Sequence, residues 1–144
     1  MRAESGSSLP VRTSSAATLG ADIQNAFLSA PNLEKHWIKA GSEFGAEQGK
    51  NFKVVRALYG LKSASAAFRS FMAKRLDAIG FHSCVADPDV WLRPAVKDDG
   101  TEYYEYILMY VDDILALSCD ARMILEEIRG TFKFKNDKIE VPHY

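Results

Sequence analysis

The chain has 144 residues, of which 47% are hydrophobic and 26% charged, and its formal net charge is −1. These values are typical of a single soluble globular domain, and no stretch approaches the roughly 20 apolar residues of a membrane span. Cys84 and Cys119 lack the spacing of a zinc site and suit a reducing compartment. We therefore expect an intracellular protein, cytoplasmic or nuclear, that is neither secreted nor associated with a membrane.

The first 15 residues are Ser-rich and include Gly6 and Pro10. They bury too little apolar surface to offset the entropy of ordering, and they lack the apolar core of a secretory signal. We predict a disordered tail over residues 1–15 and one folded domain over residues 16–144.

The first predicted element is a short strand over residues 19–24, in which Asp22 interrupts an apolar run, followed by a turn or helix start. Two more short strands are predicted at residues 36–38 and 52–55, with a Gly-rich loop between them. Gly60 then predicts a sharp turn.

The clearest helical pattern follows that turn and ends at Gly80, a residue typical of a helix C-terminus. Its apolar stripe consists of Ala64, Ala67, Phe68, Phe71, Met72, Leu76 and Ile79. This spacing predicts a helix that packs one face against a sheet.

A strand over residues 89–93 and a turn at residues 98–100 precede YYEYILMYVDDILALS, residues 103–118. Two apolar runs flank Asp112-Asp113, which predicts a hairpin of two buried strands with carboxylates at its tip. Asp120 is predicted to cap a second helix over residues 121–132. The apolar stripe of that helix comprises Met123, Ile124, Ile128 and Phe132.

This order of elements predicts an α+β domain, with helices packed on one face of an antiparallel sheet. Residues 136–144 indicate the start of another strand pair.

The Asp112-Asp113 pair has two interpretations. An isolated Asp-Asp is also typical of a hydrated surface turn. Asp22 favours a cation-binding site over a surface turn, because sheet pairing could bring this third carboxylate beside the hairpin. Three converging carboxylates suit Mg²⁺, and two such ions form the clamp used in nucleotidyl transfer.

Four motifs in order carry a resemblance to a known family. Tyr110-Val111-Asp112-Asp113 resembles the YxDD signature of reverse transcriptases, and ADIQNAFL resembles their first aspartate motif. LYGLKSASAAF is similar to the LYGLKQAPRxW segment of copia-type retrotransposons, and GFHSCVADPDVWLR is similar to the strand that follows it there. The chain departs from the copia pattern at residues 63–66, where Ser-Ala-Ser-Ala replaces Gln-Ala-Pro-Arg.

The resemblance implies a reverse transcriptase palm with part of the fingers, and RNA-directed DNA polymerase activity. It implies that Asp22 and Asp112 are the principal ligands of two Mg²⁺ ions, with Mn²⁺ able to substitute, and that Asp113 supports the site. The implied partners are an RNA or DNA template, a DNA primer, deoxynucleoside triphosphates, and the fingers, thumb and RNase H parts of a polyprotein.

Further roles follow from the resemblance alone. Phe27 would be the steric gate against a ribose 2′-hydroxyl, with a core aromatic as the alternative. Tyr110 would lie beside the primer terminus. Gly60 would let the backbone approach the nucleotide, and Lys62 would contact phosphate or be an ordinary solvated lysine. The backbone N–H groups that would face the triphosphate belong to Ile23, Gln24, Asn25 and Ala26.

Other function classes remain open from the residues. Between Gln48 and Leu76 the chain has cationic residues and no acidic ones: Lys50, Lys53, Arg56, Lys62, Arg69, Lys74 and Arg75. A catalytically inactive transposon remnant could bind nucleic acid through this strip. A nucleotidyl cyclase would share the carboxylates, and LYGLK argues against it. A ferredoxin-like RNA-recognition module would need exposed aromatic residues on its central strands.

Overall fold

The computed structural model describes residues 15–142. The predicted N-terminal tail, apart from Ser15, and the last two residues lie outside the described residues. The strands are β1 (Ala17–Asp22), β2 (Trp37–Lys39), β3 (Asn51–Lys53), β4 (His82–Ser83), β5 (Val90–Val96), β6 (Glu102–Tyr110) and β7 (Asp113–Ser118). The helices are α1 (Ala26–Ser29), α2 (Ala64–Ala78) and α3 (Ala121–Arg129), with 3₁₀ turns at Ser42–Glu47 and Lys135–Asp137.

Five strands form one antiparallel sheet in the order β1-β7-β6-β5-β4, and β2 and β3 pair separately. The hairpin of β6 and β7 supplies two of the three central strands, and β1 pairs along β7. The predicted α+β class with an antiparallel sheet is confirmed.

The core lies between one face of the sheet and the helices. Because side chains alternate across a strand, Ile107, Ile114 and Ala116 point to that face and are buried. The helices contribute Phe68 and Leu125, among others, to the same apolar cluster. Helices on one face of the sheet were predicted, and the structure agrees.

The prediction that both hairpin strands are buried is wrong for the second face of β6, whereas Leu115 and Leu117 on that face of β7 are half-buried. Alternate residues of β6 point away from the helices and are exposed: Tyr104, Tyr106, Leu108 and Tyr110. Within residues 15–142 the helices cover only one face of the sheet, and the opposite face is largely open to solvent.

Helix α2 follows its predicted stripe. Ala64, Ala67, Phe68, Met72 and Leu76 are buried, and the remaining two stripe residues pack against the cluster. Gly80 has φ +87° just after the helix, a conformation that favours glycine. The predicted stop is therefore confirmed.

Helix α3 begins as predicted, because the Asp120 carboxylate accepts a hydrogen bond from Met123 N at 3.2 Å. It ends at Arg129, three residues before the predicted end. Met123 is 52% exposed, so its assignment to the apolar stripe is wrong. Leu125 is buried instead, because it lies beside Ile128 on the surface that faces the sheet.

Strand β5 runs to Val96, past the predicted end, and includes Pro94. A proline is tolerated there because β4 pairs only with Leu92 and Trp91, so β5 is an edge strand beyond that point.

Near the C-terminus, Glu140 pairs with Gly20 of β1 through two backbone hydrogen bonds of 2.7 and 2.9 Å. The described residues contain no helix long and apolar enough to cross a bilayer.

Candidate active site

The tip of the β6–β7 hairpin is a two-residue turn of Val111 and Asp112. Val111 has φ +56°, which is rare for a β-branched residue and costs roughly 1–3 kcal/mol. Surrounding structure must compensate for this strain. The turn therefore holds the Asp112-Asp113 pair in a conformation that the local sequence does not favour.

Strand pairing brings the end of β1, with Asp22, beside the Asp112-Asp113 tip of the hairpin, about ninety residues further along the chain. Asp22, the last residue of β1, is the register partner of Asp113, the first residue of β7. Ile23 N donates a hydrogen bond to Asp112 O at 2.8 Å, which ties the end of β1 to the hairpin tip. The predicted convergence of these segments is thus present in the fold.

These carboxylates lie at the rim of the sheet. Asp22 and Asp112 are half-buried and Asp113 is exposed. Asp22, Asp113 and Tyr110 line a cleft of about 800 Å³ on the open face of the sheet, whereas Asp112 does not line it. The segment from Lys135 to Pro142 forms part of the cleft wall.

The site concentrates negative charge at Asp113. Partial loss of hydration, then repulsion from Asp112 and from Asp22, raises the pKa of Asp113, and the ammonium of Lys135 acts in the opposite direction. A folded-state pKa above the unfolded value means that the Asp113 carboxylate opposes folding as pH rises through it. A bound cation would relieve this repulsion.

Lys135 supplies such a positive charge from within the chain, and no sequence pattern indicates this contact. Its Nζ lies 3.1 Å from Asp22 Oδ2. The hydrogen bond to Asp22 and the charge of that carboxylate raise the pKa of Lys135. The two residues are 113 positions apart, so no local motif could have joined them.

The donor chemistry of the site fits a hard divalent cation, because carboxylate oxygens are the ligands that Mg²⁺ prefers. Within residues 15–142, no group of three or more His, Cys, Asp or Glu side chains is arranged to hold a metal ion. Asp22 and Asp113 are placed to act together, and the ion pair of Asp22 with Lys135 occupies one of the carboxylate oxygens.

Two of the four backbone N–H groups assigned to the triphosphate are used within the fold. Ile23 N donates to Asp112 O, and Gln24 N donates to Lys133 O at 2.8 Å. Asn25 adopts a left-handed conformation with φ +53° and leads into α1, where Ala26 is buried. The segment can therefore offer a ligand only the N–H groups that follow Gln24.

Phe27 lies in a group of aromatic rings at the surface of the core. Its ring centroid is 4.5 Å from that of Tyr59 and 6.1 Å from that of Phe68. It is half-buried, so one part of the ring packs on the core and another reaches solvent. This position is compatible with both predicted roles, the gate and the core aromatic.

Gly60 has φ +93° in the exposed turn before α2, as its predicted turn requires. A side chain there would meet no atom within 4 Å among the described residues, so the turn is open to solvent or a ligand. Lys62 is exposed two residues later.

Residues 15–140 match the family described as "Reverse transcriptase (RNA-dependent DNA polymerase)". The chain belongs to the reverse transcriptase family. It is also 30% identical over 128 residues to the "Retrovirus-related Pol polyprotein from transposon RE1" of Arabidopsis thaliana. That alignment covers 85% of this chain and 8% of the relative.

The two matches confirm the resemblance to a retrotransposon reverse transcriptase that the four motifs indicated. The matched region of this family member includes the hairpin with Asp112-Asp113, strand β1 with Asp22, and the Lys135 segment. All the candidate site residues of this reverse transcriptase segment thus lie inside the family match.

Proposed function

We propose that this chain is the catalytic core of a copia-type RNA-directed DNA polymerase, with Asp22, Asp112 and Asp113 as its catalytic carboxylates. The observation that carries the proposal is the pairing of Asp22 with Asp113 at one end of the sheet, beside Asp112. Membership of the reverse transcriptase family supports it.

In this proposal Asp22, Asp112 and Asp113 would hold two Mg²⁺ ions, for which Mn²⁺ could substitute. Such ions would activate a primer 3′-hydroxyl and stabilise the leaving pyrophosphate. The chain contributes the alignment: Asp22 and Asp113 are fixed by strand register, and Asp112 is held by the hydrogen bond that its carbonyl accepts from Ile23.

Substrate binding in the proposal uses Tyr110 of the open cleft together with residues of two other segments, the start of α1 and the turn before α2. Asn25 and Ala26 follow the engaged amides and lie beneath the triphosphate, Gly60 permits close approach, and Lys62 contacts phosphate. Tyr110, which is 78% exposed and lines the cleft, contacts the primer terminus. The template is RNA or DNA, and the fingers, thumb and RNase H parts of a polyprotein complete the enzyme.

Primer extension tests the proposal directly. The purified chain is incubated with a poly(rA) template, an oligo(dT) primer, thymidine triphosphate and Mg²⁺ or Mn²⁺, with folding checked by circular dichroism. We expect extension by the wild-type chain and background levels with Asp112→Asn. A folded chain that extends no primer under either metal would count against polymerase activity of this segment.

The competing hypothesis is a nucleic-acid-binding remnant without turnover. The observation in its favour is that the described residues present no ready group of three or more metal-ligating side chains. Under this hypothesis the chain retains oligonucleotides on a filter and incorporates no nucleotide with any divalent metal.

Phe27→Ala is expected to relax discrimination against ribonucleotides, because the smaller side chain leaves space for a ribose 2′-hydroxyl. Phe27→Tyr, which keeps the ring, is the matched control and should retain the wild-type preference. The measurement is the ratio of kcat/KM for deoxyribonucleotide and ribonucleotide incorporation. An unchanged ratio in Phe27→Ala would assign Phe27 to the aromatic core with Tyr59 and Phe68 instead.

Lys135→Met is expected to tighten Mn²⁺ binding roughly tenfold, because the ion no longer competes with an ammonium for Asp22. The readout is free Mn²⁺ measured by electron paramagnetic resonance, which does not depend on activity. Lys138→Met is the control, since Lys138 makes a similar ion pair with Glu140 at 3.3 Å. Equal affinities in the wild-type chain and Lys135→Met would contradict this competition.

A further inference from the structure

The two-stranded sheet of β2 and β3 presents a face that the carboxylate site does not use. Trp37 is 63% exposed, the register pairs it with Lys53, and Lys39 is paired with Asn51. Because strand side chains alternate, these four residues share one face, and Ile38 and Phe52 point to the other. We call Trp37, Lys39, Asn51 and Lys53 the tryptophan face.

The opposite face of this small sheet already has apolar contacts of its own. Phe44, from the 3₁₀ turn at Ser42–Glu47, packs against Phe52 with ring centroids 5.5 Å apart. Ile38 is the cross-strand partner of Phe52. Of the aromatic residues in β2 and β3, Trp37 is therefore the one that the strand alternation directs to the tryptophan face.

Charge on the tryptophan face is positive. Lys39 and Lys53 are exposed, and neither makes an ion pair with another of the described residues. Two nearby acidic residues have partners elsewhere: Glu34 lies 3.3 Å from His36, and Glu47 lies 2.7 Å from Lys50. A third, Glu43 of the 3₁₀ turn, has its carboxylate against Gly41 and makes no ion pair with another described residue. The charges beside Trp37 are thus available to an anionic ligand.

An exposed indole with one lysine along its strand and another across from it matches the way proteins bind single-stranded nucleic acid. Unpaired bases stack on aromatic side chains, and cations beside the ring neutralise the phosphates. A strand advances about 3.3 Å per residue, so Lys39 lies roughly 7 Å along the strand from Trp37, with Lys53 about 5 Å across. A base on Trp37 therefore has one cation along the strand and one across from it.

The β2–β3 sheet is anchored next to the segment that carries Phe27. Ala57 N donates to Ala30 O at 3.1 Å, and the Arg56 guanidinium donates to Ser29 O at 3.2 Å. Since Ser29 ends α1, the β2–β3 sheet leaves the body of the protein directly beside the proposed nucleotide site.

From these observations we infer that the tryptophan face binds single-stranded nucleic acid, with a base stacked on Trp37 and phosphates contacted by Lys39 and Lys53. In the context of the proposed function, which this inference extends, the ligand is the unpaired template strand. The binding itself requires neither metal nor catalysis.

The test measures binding of a fluorescently labelled 12-residue oligo(dT) by anisotropy in EDTA, over a range of NaCl concentrations. We expect Trp37→Leu to weaken binding about tenfold, and Trp37→Phe to stay within about twofold of the wild type, because base stacking requires an aromatic ring. A blunt duplex of equal length should show no dependence on Trp37. Equal binding by the wild type and Trp37→Leu, or an equal loss on the duplex, would overturn the inference.

Charge is tested separately through the salt dependence. The double variant Lys39→Gln/Lys53→Gln should reduce the slope of log K against log[NaCl] by about 1.4, since each phosphate contact contributes roughly 0.7 for a single strand. The control Lys74→Gln/Arg122→Gln removes the same charge from exposed positions of α2 and α3 and should keep the wild-type slope. Equal slopes in the two double variants would refute a specific role of the tryptophan face.

The two proposals fail in different ways. Primer extension by the wild-type chain, together with Trp37-independent oligonucleotide binding, would overturn this inference and leave the polymerase assignment standing. Trp37-dependent binding without extension would support the inference and count against catalysis.

Discussion

Replacing Asp22 or Asp112 by asparagine is expected to lower nucleotide incorporation at least about 1,000-fold. Divalent cations stabilise the charge that develops in nucleotidyl transfer by several kcal/mol, and each 1.4 kcal/mol changes the rate about tenfold. If Asp22 and Asp112 are the principal ligands, as proposed, a neutral amide in place of either removes most of that stabilisation. Asp113→Asn is expected to cause a smaller loss, in keeping with its proposed supporting role.

The structure makes the relative losses informative. Asp113, and not Asp112, lines the cleft with Asp22 and is its register partner. If Asp113→Asn were as damaging as Asp22→Asn while Asp112→Asn retained activity, the principal ligand would have to be reassigned to Asp113. The rates are measured by primer extension under single-turnover conditions.

Two control measurements accompany these variants, one of stability and one of activity. Asp113→Asn removes a carboxylate whose pKa is raised by partial loss of hydration and by its acidic neighbours, so the free energy of unfolding of this variant near neutral pH should equal or exceed that of the wild type. Asp98→Asn changes a carboxylate in the turn before β6, at the other end of that strand from Tyr110, and should keep full incorporation.

Arg93→Met is expected to destabilise the protein by about 3–5 kcal/mol, which is the usual cost of breaking a buried ion pair on one side. Arg93 Nη2 lies 2.7 Å from Glu105 Oε2, and the Glu105 side chain is only 9% exposed. The same guanidinium also contacts Glu127 at 3.0 Å, Ile79 O at 2.7 Å and the ring of Phe81 at 4.4 Å. Without Arg93, the Glu105 charge would remain buried without its cation.

Arg69→Met is the matched control for this prediction. Arg69 Nη2 also lies 2.7 Å from a carboxylate, that of Asp89, but both side chains are about half exposed. Exposed pairs contribute roughly 0–1 kcal/mol, so Arg69→Met should change stability by less than about 1 kcal/mol. Urea unfolding of the two variants measures the difference, and similar losses in both would show that burial does not set the strength of the Arg93 pair.

Local patterns were sufficient for much of the fold. The helical spacing from Ala64 to Leu76, the stop at Gly80 and the cap at Asp120 were all predicted, because each depends on residues within a few positions of one another. The hairpin around Asp112 was predicted for the same reason. Assigning the chain to the reverse transcriptase family required, in addition, the resemblance of four motifs in order.

Contacts between distant segments were decided only by the tertiary structure. Lys135 approaches Asp22 across 113 residues, and the amides of Ile23 and Gln24 are used by segments far along the chain. Neither arrangement has a local signal, since each depends on how β1 meets the β6–β7 hairpin and the segment after α3. The sequence-based prediction that these two amides face the triphosphate could not take into account that they donate to Asp112 O and Lys133 O.

The sequence by itself determined the family and most of the element types, and it singled out the three aspartates as candidates, because motif identity and periodicity are local properties. The tertiary structure decided which sheet face the helices cover and therefore that Tyr106 and Leu108 are exposed. It also decided that Leu125 rather than Met123 faces the core. An apolar residue is buried only where another element packs against it, and the sequence pattern of a single strand or helix does not specify that packing partner.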